Sequence, residues 1–136
     1  MVGDRHRAQG RATDFRTSME LFDTTQLGLE KALSGSALRQ EAIASNIANV
    51  NTPGYRRQDV DFQSALQAAW DQGSQGVSSI RPTMGVDPTS AVRQDGSSVD
   101  IDVESAAQAK NGLQYEAVSQ ILKTRIAILR SAIGVS

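Results

Sequence analysis

Two carboxylate pairs come closest to a catalytic constellation in this 136-residue chain: Asp59 with Asp61, and Asp100 with Asp102. Each i, i+2 pair would share one face of an extended segment. Paired acids do acid–base work when burial raises the pKa of one member. Both pairs fall at element boundaries, where carboxylates ordinarily cap helices and solvate turns, and they are assigned those roles. Three amides, Asn46, Asn49 and Asn51, gather just before Pro53-Gly54, and the same logic makes them cap and turn residues. The rest of the chemical inventory is thin. There is no Cys, which excludes disulfides, thiolate metal sites and a Cys nucleophile, and the one His is His6 near the N-terminus. Gly73 and Gly76 are not at phosphate-loop spacing. No catalytic, cofactor-binding or metal-ligating residue is therefore expected.

Charge and composition narrow the partners. Lys and Arg number 14 against 15 Asp and Glu, a formal net charge of −1, which gives no global attraction to nucleic acid or an anionic membrane. No apolar run approaches the ~20 residues of a membrane span, and the basic N-terminus lacks the apolar stretch of a cleaved secretory signal. Aromatic residues make up only 4% of the chain. Such side chains dominate most small cores, so the shortage points to apolar surface that is buried between subunits.

The elements that must position these residues are mainly helical. Residues 1–18 are polar and locally basic and read as a disordered N-terminal extension. Asp23 and Gln26 stand as a capping box, with Phe22 and Leu27 placed for a hydrophobic staple. An N-terminal core helix is expected within 19–50, from about Thr24 to Asn49. Its stripe runs through Leu29, Leu33, Ile43 and Ile47 and is rich in Ala, Ser and Gly. Thr52-Pro53-Gly54-Tyr55 has the composition of a type II turn, with Asn49 or Asn51 available for a left-handed cap. Over 51–99, Val60 and Phe62 alternate with acids like a short strand. Ala65–Trp70 suggests a helical turn or two. Residues 71–98, rich in Gly, Ser, Thr and Pro, read as a flexible loop holding at most a short β-hairpin near Ile80–Met84 and Ala91–Arg93. A second core helix is expected over 100–136, capped by Asp100 or Asp102, with a stripe through Leu113, Ile121, Leu122, Leu129 and Ile133 and a stop at Gly134. Two such helices pack as an antiparallel, coiled-coil-like hairpin around a loop-rich middle. One hairpin cannot cover both stripes, so these nine residues are the expected assembly surface.

Residues 44–55, Ala-Ser-Asn-Ile-Ala-Asn-Val-Asn-Thr-Pro-Gly-Tyr, resemble the SNIANxxTPGY signature of bacterial flagellar rod and hook axial proteins. Its motif residues here are Asn46, Asn49, Asn51, Thr52, Pro53, Gly54 and Tyr55. Arg57-Gln58-Asp59-Val60-Asp61-Phe62, Val99–Glu104, Asn111, Leu113, Tyr115 and Leu129–Ile133 resemble blocks of the proximal-rod, FlgB-type branch. Met19–Asp23 resembles the start of such chains, which leaves residues 1–18 as an addition. The resemblance implies a structural subunit of the flagellar basal-body rod, not an enzyme. It implies export through the flagellar type III apparatus without a cleaved signal, and assembly in the periplasm through the terminal helices. The implied partners are further copies, the rod proteins FlgC and FliE, and export-gate proteins, with no small-molecule substrate. Phe62 and Leu66 also resemble a short export-gate recognition motif, and core packing of Phe62 explains the same pattern. A sibling of the FlgC type, or a soluble coiled-coil adaptor, is the competing reading. The adaptor explains the stripes but not the signature.

Overall fold

The computed structural model describes residues 5–134, with side chains from residue 24 onward. Helix α1 spans Arg5–Ala48 and α4 spans Ile101–Ala132, about 66 and 48 Å at 1.5 Å per residue. Between them lie β1 (Gln58–Asp59), α2 (Gln63–Trp70), α3 (Gly73–Ser79) and β2 (Gly85–Val86). The long helices are antiparallel: Asn111 of α4 bonds Ser36 and Gln40 of α1, whereas Glu104, earlier in α4, bonds Asn46, later in α1. The mainly α hairpin expected from the stripes is thus the architecture.

Several boundaries differ from the sequence reading. Helical backbone begins at Arg5, so the disordered extension is corrected over 5–18, and residues 1–4 lie outside the described residues. No proline occurs before Pro53, and Met19-Glu20-Leu21 are good helix formers, so the helix passes through Asp23 without stopping to be capped there. The Phe22 staple falls on a side chain outside the described ones. The middle is more ordered than a loop. Val77 of α3 is fully buried, and Lys31 Nζ of α1 donates to the Ile80 carbonyl at 2.8 Å. Nor is the β pairing a local hairpin: β1 pairs antiparallel with β2, Gln58 opposite Val86 and Asp59 opposite Gly85.

Asp100 caps α4 as expected, accepting from the N–H groups of Asp102 and Val103. Asp102 and Glu104 fill the acidic first turn, Arg130 the basic last turn.

The apolar core is small. Ala42, Val60 and Phe62 form its centre, with Ala32, Leu38 and Leu66 packed around them. Two glycines of α1, seven residues apart, seat the aromatic residues of α2 and its lead-in. A Cβ at Gly28 would lie 2.6 Å from the Trp70 ring, and one at Gly35 would collide with the Phe62 ring. Each glycine costs the helix about 1 kcal/mol relative to Ala, and the buried ring at Phe62 outweighs that by contributing about 1.5–3 kcal/mol. Arg39 lies over the same ring, 5.3 Å from its centroid. It also bonds the Val60 carbonyl and pairs with Asp59 at 3.5 Å.

Candidate functional site

The residues singled out in the sequence separate into two places. The first is a buried polar clasp where α1 ends. The helix stops at Ala48, and Thr52-Pro53-Gly54-Tyr55 closes a type II turn. The Thr52 carbonyl accepts from the Tyr55 N–H at 3.2 Å, and Gly54 sits at φ +75°. No non-glycine residue among those described has a positive φ, so neither Asn49 nor Asn51 is a left-handed cap. Asn49 instead donates its amide back to the Ser45 carbonyl at 2.8 Å and accepts from the Thr52 hydroxyl at 3.2 Å. Asn51, Thr52, Pro53 and Gly54 are exposed on the turn.

Asn46 is the larger correction. It is not a cap residue. It points inward, fully buried, and uses all four of its hydrogen-bonding positions. Its oxygen accepts from the Gln58 N–H at 2.9 Å and from the Tyr55 hydroxyl at 3.3 Å. Its amide nitrogen donates to the Gln58 carbonyl at 2.8 Å and to Glu104 Oε2 at 3.1 Å. The side-chain amide therefore serves the outer edge of β1 as a neighbouring strand would, satisfying backbone groups that burial would otherwise orphan. Tyr55 reaches Ser45 as well, its hydroxyl 3.0 Å from Oγ.

Glu104, in the acidic first turn of α4, is fully buried and completes the clasp. Its Oε1 accepts from Arg57 Nε at 2.5 Å. Arg57 also donates to Asp87 Oδ2 at 2.8 Å and lies 3.7 Å from Asp59. Burial opposes the charge on Arg57, but the hydrogen bond and negative charge of Glu104, helped by Asp59 and Asp87, outweigh it and hold the guanidinium above its ordinary pKa. Asp87 is held well below the usual carboxylate range, chiefly by hydrogen bonds from the Ser90 and Thr89 hydroxyls and the Thr89 N–H, and also by Arg57. Buried Ser98 ties in the segment that leads into α4: its hydroxyl accepts from the Arg57 N–H at 2.8 Å, and its own N–H reaches the Tyr55 carbonyl at 3.0 Å. Of the two carboxylate pairs, Asp61 and Asp100 act locally as expected, whereas Asp59 is ion-paired instead of capping a helix or solvating a turn. Asp59 joins the clasp cations, Asp61 accepts from the Ser64 hydroxyl at 2.9 Å, and Asp100 caps α4. Nothing in the local pattern announced Asn46 and Glu104 as partners, 58 residues apart. Their occurrence in two recognisable blocks was the available signal.

The second place is the distal half of α4. The face turned to α1 runs through Glu104, Asn111, Val118 and Leu122. Most of the apolar stripe read from the sequence lies elsewhere on the helix and is uncovered. Leu113 is 69% exposed, Ile121 53%, Leu129 43% and Ile133 75%, and only Leu122 of that set is half-buried. On α1, Ile43 is buried, while Leu29, Leu33 and Ile47 are half-buried. Phe62 and Leu66 belong to the core cluster. Among the described residues no group of acids and His could hold a metal ion, and no helix is long and apolar enough to cross a membrane.

Comparison with known proteins converges on one family. A family model described as "Flagella basal body rod protein" matches residues 29–56, the last turns of α1, which carry Asn46, and the turn that ends at Tyr55. The chain is 35% identical over 124 residues to "Flagellar basal body rod protein FlgB" of Escherichia coli (strain K12), covering 75% of this chain and 90% of that protein. It is 29% identical over 129 residues to the protein of the same name from Bacillus subtilis (strain 168), covering 85% and 97%. For the Yersinia enterocolitica counterpart the figures are 34% over 115 residues, 71% and 84%.

Proposed function

From the premise that this chain belongs to the flagellar basal-body rod protein family and is a structural subunit of the rod, we propose how it reaches and builds that structure. The chain passes unfolded through the flagellar type III apparatus without a cleaved signal, and it assembles on the periplasmic side. Its uncovered helix faces then pack against neighbouring rod subunits, further copies and proteins of the FlgC and FliE kinds. It catalyses nothing and serves motility by its geometry alone.

The observation that carries this reading is the large apolar side chains Leu113, Ile121, Leu129 and Ile133, left in water by the hairpin. Apolar surface exposed to this extent marks interaction surfaces. The clasp holds the end of α1 against α4 and presents both helices in a fixed register. Leu29, Leu33, Ile43, Ile47 and Leu122 support the same surface from the covered side. Phe62 is buried and Leu66 half-buried once the chain folds, so an export gate reads the pair fully only in the unfolded chain, which fits a recognition role that ends at assembly.

The test is Ile121→Asp combined with Leu129→Asp. A charge at an assembled helix interface is strongly unfavourable. The variant chain should be made and retain its helix content by circular dichroism. It should nonetheless be missing from purified basal bodies by mass spectrometry, and the cells should not swarm. Normal swarming with both substitutions would overturn the assignment.

A further inference from the structure

On the side of the hairpin away from the clasp's strands, α1 and α4 leave an open groove of about 610 Å³. Its walls are small: Ala37 and Ala44 on α1 and Gly112 on α4, which allow close backbone approach. Its rims carry exposed acids, Glu41 on α1 and Glu116 on α4, with Tyr115 beside them. Asn111, 3% exposed, lines it with an unmet requirement. Its amide nitrogen is spent on the Ser36 carbonyl and Gln40 Oε1, at 2.9 and 3.0 Å, while its buried oxygen has no hydrogen-bond partner. A buried acceptor left unpaired costs about 1–3 kcal/mol, and it calls for a donor. The groove therefore suits a helix that brings cationic donors and modest apolar side chains.

The chain carries such a helix face itself. Beyond Glu116 there is no Asp or Glu, whereas Lys123, Arg125 and Arg130 all lie there. Lys123, Ile126, Arg130 and Ile133 follow one another at spacings of three, four and three, which places them on one helix face. All four are exposed, Ile133 to 75%. That face alternates cation and isoleucine, which complements acidic rims over an apolar floor.

We infer that this groove receives the distal α4 of a second copy of the chain, with Lys123 and Arg130 set against Glu41 and Glu116. The inference rests on the rod-subunit reading and names the mate of one surface. Because groove and inserting face are different patches, the contact is heterologous, the groove of one copy taking the helix of the next.

The natural absence of Cys makes the test direct. Chains carrying Ala44→Cys and chains carrying Ile126→Cys are purified, mixed and oxidised. A disulfide requires Cα atoms within roughly 7 Å. The expected product is the mixed A44C–I126C dimer, with little from A44C mixed with Ala117→Cys. E41K with E116K should reduce the yield roughly tenfold, and K123E with R130E in the other chain should restore it. No dimer, equal dimer with A117C, or failure of the charge swap overturns the inference. The same cysteine chains are followed into purified basal bodies. Incorporation with A44C joined to a different protein, or joined to nothing, overturns the second-copy assignment and leaves the rod reading standing. The mixed dimer in solution without incorporation does the reverse.

Discussion

The clasp end of the molecule buries charge, and the distal half of α4 exposes isoleucine. Around Asn46, fully buried Glu104 meets Arg57, and every polar atom of the Asn46 amide is paired. Toward the C-terminal end of the same helix, Ile121, Ile128 and the capping Ile133 are 53%, 64% and 75% exposed. A chain folding only for its own stability would arrange the two the other way. The inversion separates two jobs. Polar pairing at the clasp fixes one geometry of the hairpin, since each partner excludes neighbouring registers. The apolar side chains of distal α4 contribute little to the fold, and on the proposed reading they serve association. The core that remains, built on Ala42, Val60 and Phe62, is correspondingly slight.

Breaking the clasp should have the largest effect on folding. Glu104→Ala leaves the Arg57 guanidinium partly buried without its main partner, and removing one member of a buried pair costs about 3–5 kcal/mol. Denaturant unfolding of the purified chain should show that loss, and a loss below about 1 kcal/mol would deny the clasp its role. Next comes Gly35→Ala, whose methyl group meets the Phe62 ring. It should cost about 1–3 kcal/mol as overpacking, and Phe62→Leu in the same chain should recover part of it. Smaller and dependent on pH is Asp87→Asn. The folded carboxylate is held below its ordinary pKa, so its contribution is complete above the ordinary value of about 3.9 and fades as pH falls through and below it. The stability gap between the natural chain and the variant should be widest at neutral pH and close progressively below about pH 4. Least of all, Ile121→Asp should change monomer stability by no more than about 0.5 kcal/mol, while removing the chain from the rod. A large destabilisation there would mean that the exposed face serves the monomer after all.

Local chemistry was legible in the sequence and distant partnership was not. Thr52-Pro53-Gly54-Tyr55 declared its turn because proline fixes one φ and glycine supplies the positive one four residues can specify alone. Asp100 declared its cap for the same reason. The two long helices followed from periodicity, and the expected uncovered surface is found on the α4 stripe, whereas the α1 stripe is buried at Ile43 and half-buried at Leu29, Leu33 and Ile47. Asn46 was misread because an asparagine before a turn is ordinarily local, and its strand-edge partner Gln58 lies across the turn. Glu104 does stand in the first turn of α4, but its tertiary partners stayed hidden, because an acid there satisfies the dipole without any tertiary explanation. Helix α3 hid behind its Gly and Ser composition, since burial of Val77 against neighbouring elements, not propensity, holds it. The β1–β2 pairing spans an intervening pair of helices, and no hairpin rule reaches that far.

Asn111 and Glu104 place hydrogen-bonding groups along the seam where most helix pairs place leucines. Apolar seams tolerate a slip of one turn, about 5.4 Å, because one leucine fits another's hole. A polar seam does not, since the slip would strand Ser36, Gln40 and Asn46 together with their partners. In a structure made by adding copies end on end, an error in one unit is inherited by all that follow. The hairpin's seam is in that sense a gauge block: it sets a length once, inside each part, so that the assembly never has to measure it.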